Sequence, residues 1–260
     1  MSIAIYRVNA FADRSFAGNP AAVCPLGDWL PDSTLQAIAA ENRVSETAFF
    51  VRTGDAYELR WFALLSEVEL CGHATLATAF TIARYLDVGC DRFQFRTRYS
   101  GTLTVERAGD VYTLDFPARP AERAGDLARW SEVAGAHVVE GWVAVKTMAV
   151  LERAVDVVEA KPLMERISEL PGDGLIITAP GTDVDFVARY FAPHRGIPED
   201  PVTGSAYCSL TPYWARRLGK KRLTAHQLSK RGGTLTVEDA GARVLISGRA
   251  TPYYVGRIYV

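Results

Sequence analysis

Apolar and polar positions alternate over residues 3–11, the period-2 pattern of a half-buried strand. After the Gly18-Asn19-Pro20 turn signal a short apolar run over 21–24 reads as a second strand. Leu35, Ile38 and Ala39 recur at helical spacing and predict a helix from an Asp32 or Ser33 cap to about residue 42. Residues 47–51 and 56–63 read as strands around the turn Thr53-Gly54-Asp55, and helical spacing returns over 72–86. Three strands follow near 93–98, 102–107 and 111–116. Residues 118–136, with Pro120, read as a crossover. Beyond it the pattern predicts further strands, a helix near 162–170, strands at 175–178 and 185–191, a helix over 203–218, and strands to the end. Strands and helices mixed without strict βαβα alternation argue for the α+β class.

The pattern repeats. Gly101-Thr102-Leu103-Thr104-Val105-Glu106 returns 132 residues on as Gly233-Thr234-Leu235-Thr236-Val237-Glu238, and the same shift carries Gly72-His73-Ala74 onto Gly204-Ser205-Ala206. Arg60-Trp61-Phe62-Ala63 matches Arg189-Tyr190-Phe191-Ala192 at a shift of 129, so the second copy has gained three residues between. Several matches in register predict a duplication: two lobes, 1–118 and 119–260, the last strands free to cross back to the first, with a cleft between the halves.

Composition changes this picture little. The chain has 260 residues, 48% of them hydrophobic and 23% charged, with a net charge of −1, values that suggest neither a nucleic-acid nor a membrane partner. No apolar run approaches the ~18 residues of a membrane helix, and the N-terminal residues do not read as a signal peptide. Four cysteines without a C-x-x-C pair, and four scattered histidines, predict reduced thiols, a cytoplasmic protein and no metal site. No phosphate-binding glycine motif is present, so no nucleotide cofactor is expected.

Candidate chemistry gathers around the two predicted long helices. Each opens on a glycine, Gly72 or Gly204, and a helix N-terminus presents unpaired N–H groups and partial positive charge that suit a carboxylate. The plainer reading, glycines that only start helices, has equal standing at this point. Asp200 and Ser205 flank the second start, where Asp200 serves as a helix cap or reaches a ligand. His73 is the one histidine inside a repeated motif. Glu46 opens an apolar strand, where partial burial raises a carboxylate toward the range of a general base; a strand-end surface glutamate is the competing reading. The 129-residue shift sets Leu175 opposite Glu46, so the acid exists in one half only.

These motifs together resemble the phenazine-biosynthesis PhzF-like family, of diaminopimelate epimerase-like fold. The resemblance rests on Asn9-Ala10-Phe11, Gly18-Asn19-Pro20-Ala21-Ala22-Val23, Ser45-Glu46-Thr47-Ala48-Phe49, Glu67-Val68-Glu69-Leu70-Cys71-Gly72-His73-Ala74-Thr75 and Asp200-Pro201-Val202-Thr203-Gly204-Ser205-Ala206, which span nearly the whole chain. It implies two pseudo-symmetric lobes, each a sheet-derived barrel around a central helix, an active site between them, a homodimer and no cofactor. It further implies an isomerase acting on a substrate like trans-2,3-dihydro-3-hydroxyanthranilate, with Glu46 moving a proton, His73 and Asp200 assisting, and Ser45, Gly72, Gly204 and Ser205 binding a small carboxylate. Ala63-Leu64-Leu65-Ser66 departs from the Thr-Pro pair usual in the family, and Asn9 from an aspartate common there.

Two other readings are open. A racemase or epimerase of the same fold uses a thiol at each helix start; Cys71 stands at the first, but the second has none, Cys208 lying four residues past Gly204. A non-catalytic carboxylate-binding protein needs the helix starts and has no use for Glu46.

Overall fold

The alternating segments form strands whose pairing follows the duplication. The structure, a computed structural model, describes residues 1–260, and they divide into two units, Met1–Asp115 with Ser247–Val260, and Phe116–Ile246.

In the first unit β1 (Ser2–Ala10) pairs antiparallel with β2 (Asn19–Leu26) and with the C-terminal strand Ala250–Tyr259. Helix α1 (Asp32–Asn42) leads from β2 to β3 (Glu46–Thr53), which runs parallel to β2. It buries Leu35, Ile38 and Ala39, the face its spacing predicts. No side chain caps it; Asp32 instead faces Arg60 at 2.9 Å and Arg98 at 3.3 Å, because two guanidinium groups offer a carboxylate more than one amide does. β4 (Ala56–Phe62) is antiparallel to β3 and to the short β5 (Glu67–Val68). β6 (Arg92–Thr97) runs parallel to β4, and β7 (Thr102–Ala108) and β8 (Val111–Pro117) complete a meander.

Helix α2 (Gly72–Thr81) buries all ten of its residues, as a helix apolar on every side must. Its threonines fit because each hydroxyl donates one turn back: Thr75 to the Cys71 carbonyl at 2.5 Å, Thr78 to Ala74 at 2.7 Å and Thr81 to Ala77 at 2.8 Å. The helical run predicted to residue 86 continues past Thr81 as a π-helical turn, Ile82–Leu86.

The second unit holds β9 (Glu122–Arg123), α3 (Leu127–Ala134), β10 (Glu140–Val143), β11 (Thr147–Val150), α4 (Ala154–Glu159), β12 (Leu175–Pro180), β13 (Phe186–Ala192), β14 (Ile197–Asp200), α5 (Tyr207–Leu218), β15 (Arg222–Gln227), β16 (Gly233–Ala240) and β17 (Arg243–Gly248). Its ladder copies the first: β11 is parallel to β12, β13 is antiparallel to β12 and β14, β15 is parallel to β13, and β16 closes antiparallel. The corresponding first-unit strands are β2, β3, β4, β5, β6 and β7. One ion pair is duplicated with the strands. Arg60 donates to Glu67 at 2.8 Å and stands 5.1 Å from the Phe62 ring centre; Arg189 donates to Glu199 at 2.7 Å and stands 4.8 Å from Phe191.

Three expectations are corrected. The 118–136 crossover contains β9 and α3, and α3 is capped by the Asp126 carboxylate accepting from Ala128 and Arg129 N–H. The helix near 162–170 is a 3-10 segment, Met164–Glu169. The helix over 203–218 opens as a 3-10 turn, Gly204–Ala206, before α5. The last strand, β18 (Ala250–Tyr259), which the sequence left free to cross back, pairs along the whole of β1, and Ser247–Val260 belong with the first unit. No helix is long and apolar enough to cross a membrane.

α5 packs through Trp214, stacked on Phe186 with centroids 5.5 Å apart, its indole N–H donating to Thr178 Oγ1 at 3.0 Å. Tyr207, fully buried in the first turn, has a hydroxyl with no partner in the protein. A buried unpaired hydroxyl costs about 1–3 kcal/mol. Tyr207→Phe is therefore expected to melt no lower than wild type, and up to several degrees higher by calorimetry; a drop of several degrees would show that the hydroxyl is bonded.

Candidate active site

β3 and α2 bring Glu46 and His73 together. Glu46 is the first residue of its strand, so its side chain sits at the strand end with 12% exposed, neither core nor open surface. His73 is the second residue of α2 and is 3% exposed. Its Nε2 lies 3.2 Å from Glu46 Oε2, close but not aligned as a full hydrogen bond.

The other edge of the imidazole decides its tautomer. Ser45 Oγ donates to Asn19 Oδ1 at 3.1 Å, which turns the Asn19 NH2 toward His73 Nδ1 at 3.2 Å. Nδ1 therefore accepts, and the ring proton belongs on Nε2, toward Glu46. Burial pushes the His73 imidazole down to about 3. The nearby carboxylate favours the imidazolium, but loss of solvent outweighs it, so a neutral N–H donor faces the carboxylate at ordinary pH.

Glu46, Cys71 and His73 place three metal-ligand atom types within 4.8 Å of one another. The Cys71 sulfur, however, lies 3.5 Å from Nδ1, while Glu46 addresses Nε2. Nδ1 and Nε2 point away from each other across the ring, so thiol and carboxylate do not converge with one imidazole nitrogen on a common ion. The arrangement suits proton handling better than coordination.

Gly72 begins α2 after Cys71, which caps it in extended conformation (φ −138°, ψ 106°). The first intrahelical bond there is Thr75 N–H to the Cys71 carbonyl at 3.2 Å, so the N–H groups of Gly72, His73 and Ala74 have no acceptor within the helix.

The second unit holds the remaining expected residues. Asp200 ends β14 and is buried. Thr203 Oγ1 donates to Asp200 Oδ2 at 2.5 Å, and Gln227 clamps the turn: its Nε2 donates to the Asp200 carbonyl at 2.8 Å and its Oε1 accepts from Thr203 N–H at 2.8 Å. Gly204 follows buried and Ser205 half-buried, with Ala206 N–H already bonded back to the Thr203 carbonyl at 3.0 Å. Thus Ser45, Glu46, Gly72 and His73 gather in one unit, and Asp200, Gly204 and Ser205 in the other. Gln227→Leu is expected to lower stability by about 2–4 kcal/mol, because it orphans a buried N–H and a buried carbonyl; the denaturant midpoint measures it, and an unchanged midpoint refutes the clamp.

Sequence reasoning did not single out Asn19, Thr203 or Gln227 as site residues. Asn19 figured as part of a turn signal and of a family motif without a role of its own, and Gln227 lies 27 residues from Asp200 with no local cue.

The profile of phenazine biosynthesis-like proteins, PhzC-PhzF, matches residues 8–256. The chain belongs to this family. It is 46% identical over 260 residues to an uncharacterised isomerase of Pseudomonas aeruginosa, each chain covered in full. A PhzF-family crystal structure from Enterococcus faecalis superposes with a TM-score of 0.96 at 43% identity, again over the whole of both chains. A hydroxyproline epimerase from Agrobacterium vitis aligns over 99% of this chain and 92% of its own with a TM-score of 0.66 at 10% identity, a likeness of fold alone. The fold is thus the α+β, PhzF-like fold that the epimerase shares, and the curated relatives from Pseudomonas aeruginosa carry the name isomerase.

Proposed function

We propose that this PhzF-like protein is a cofactor-independent isomerase that moves a proton within a small cyclic or unsaturated carboxylic acid, similar to trans-2,3-dihydro-3-hydroxyanthranilate, with Glu46 as general acid and base. The observation that carries this reading is the largely buried Glu46 carboxylate facing the neutral Nε2–H of His73 at 3.2 Å.

In this reading Glu46 takes a proton from a saturated ring carbon, and the electron pair spreads into the conjugated acid. The proton then returns at another carbon of the same system, so nothing is oxidised or reduced and no water is consumed. His73 orients the carboxylate without adding a charge that would weaken it as a base. Backbone N–H groups at Gly72 in the first unit, and those at Gly204 with the Ser205 hydroxyl in the second, are the groups suited to a substrate carboxylate, and Asp200 suits an amino or hydroxyl donor.

A thiol racemase is less well supported. Cys208 is buried inside α5, and desolvation pushes its thiol up to about 11, so it has little thiolate at neutral pH. The deciding experiment is proton NMR in deuterated buffer with trans-2,3-dihydro-3-hydroxyanthranilate and a panel of small unsaturated and amino acids. Deuterium at a migrated ring position is expected; label only at an inverted α-carbon would transfer the reading to epimerisation, and binding without wash-in to a carboxylate-binding role.

A further inference from the structure

One buried charge of the second unit belongs to neither cluster described above. Lys146 stands immediately before β11 with 8% of its surface exposed, and lysine is rarely so buried unless its ammonium is paired. Its Nζ lies 5.3 Å from the centre of the Tyr190 ring, and no carboxylate or carbonyl of the chain accepts from it. The acidic neighbour Asp173 is occupied, by His194 Nε2 at 2.9 Å and Arg195 Nε at 2.6 Å. Lys146 is therefore a largely buried cation with no hydrogen-bond acceptor in the chain, set against an aromatic face and favoured through space by the Asp173 and Asp200 charges.

Its position connects it with the candidate site. Tyr190 on β13 is the register partner of Asp200 on β14. Side chains of directly opposed residues share a face, with Cβ atoms about 5 Å apart. The ammonium thus covers the ring adjacent to Asp200. Burial pushes Lys146 below its ordinary value, while Asp173, the Cys208 thiol in the first turn of α5, and Asp200 act on it through space. It therefore lies within electrostatic reach of the residues that open the second helix.

The duplication makes the charge more telling. Ala21 pairs with Glu46 across β2 and β3, and Thr147 with Leu175 across β11 and β12. Since Glu46 and Leu175 are equivalent under the repeat, Lys146 occupies the place of Pro20. By the pairing of Trp61 with Val68 and of Tyr190 with Asp200, Asp200 occupies the place of Val68. Each unit has kept charged groups where its copy has none, Glu46 in the first and Lys146 with Asp200 in the second. A largely buried cation kept in one copy, with no carboxylate hydrogen-bonded to it, fits an anion that arrives with a ligand.

We propose that the Lys146 ammonium is an anion-recognition group of the candidate site, taking a carboxylate oxygen of the ligand on the Asp200 side of the second unit. This deepens the isomerase reading and rests on it for the ligand class. A carboxylate has about four acceptor positions, enough for an ammonium as well as the backbone donors at Gly204 and Ser205.

The test compares 2-aminobenzoate with 2-aminobenzamide, which differ in the anionic group, by calorimetric titration of wild type, Lys146→Met and Lys146→Arg. Wild type is expected to bind the acid at least about tenfold more tightly than the amide, as a charge-assisted hydrogen bond dictates. Lys146→Met loses about 10- to 100-fold toward the acid and little toward the amide, so the preference disappears. Lys146→Arg recovers most of it. The ratio of acid to amide cancels any change in folded fraction. A preference unchanged in Lys146→Met, or an absent preference in wild type, overturns the proposal. If Glu46-dependent proton exchange persists while acid binding ignores Lys146, this inference fails and the isomerase reading stands. If acid binding depends on Lys146 while exchange ignores Glu46, the reverse holds.

Discussion

Glu46→Gln protein is expected to exchange carbon-bound substrate protons with solvent about 10²- to 10⁴-fold more slowly than wild type, the range that one positioned general base contributes. Glutamine is isosteric, and its carbonyl can face the His73 Nε2–H as the carboxylate does, so the local packing around β3 and α2 survives. What is lost is basicity alone. The melting temperature should therefore stay within a few degrees of wild type while wash-in collapses. Cys71→Ala is the matching control: the sulfur lies against Nδ1 of His73 while the carboxylate faces Nε2, so most activity should remain. Wild-type wash-in in Glu46→Gln would remove Glu46 from the chemistry. Loss in Cys71→Ala comparable to that in Glu46→Gln would move the proton transfer to the thiol.

The second large effect is on stability in acid. His73 is neutral in the fold because burial holds its imidazole down to about 3, against an ordinary 6.5. Between these values the unfolded chain binds a proton that the folded chain refuses, so folding weakens as pH falls from about 6.5. By pH 4 this one group removes about 3 kcal/mol relative to pH 7. Above 6.5 it contributes no slope. Carboxylates held low by cationic partners, Asp185 and Asp173 among them, also lose stability in acid, so total acid sensitivity does not isolate His73. The difference between wild type and His73→Gln does. Glutamine keeps an N–H in the place of Nε2 and cannot titrate, so its denaturant midpoint should fall less between pH 7 and pH 4. Parallel pH profiles for the two proteins would mean that His73 titrates normally and that its proton must be reconsidered in the mechanism.

Much of this protein was legible without coordinates. The strand and helix positions of the first half follow from period-2 and helical spacing, and α1 buries the three residues that spacing selects. The errors fall where local cues are weak or compete. The 3-10 turn at Gly204–Ala206 and the 3-10 segment Met164–Glu169 lie at helix-like spacing, which does not distinguish the two helix types over one or two turns. Helix α3 had a readable cap in Asp126 that the crossover reading passed over.

The sequence by itself determined the duplication, the family, and the asymmetry of Glu46 against Leu175, because repeats and motifs are properties of residue order. Only the tertiary structure decided the state of those residues. Asn19 reaches His73 across 54 positions and so sets which ring nitrogen carries the proton, and Gln227 reaches back 27 positions to clamp Asp200. The membership of Ala250–Tyr259 in the first unit was settled in the same way, by its ladder with β1. Lys146 carried no sequence cue; only burial against the Tyr190 ring without a hydrogen-bonded carboxylate makes it chemically notable. Spacing along the chain encodes which backbone conformation forms, but hydrogen-bond partners, desolvation and tautomers depend on which distant side chains the fold brings within about 3 Å.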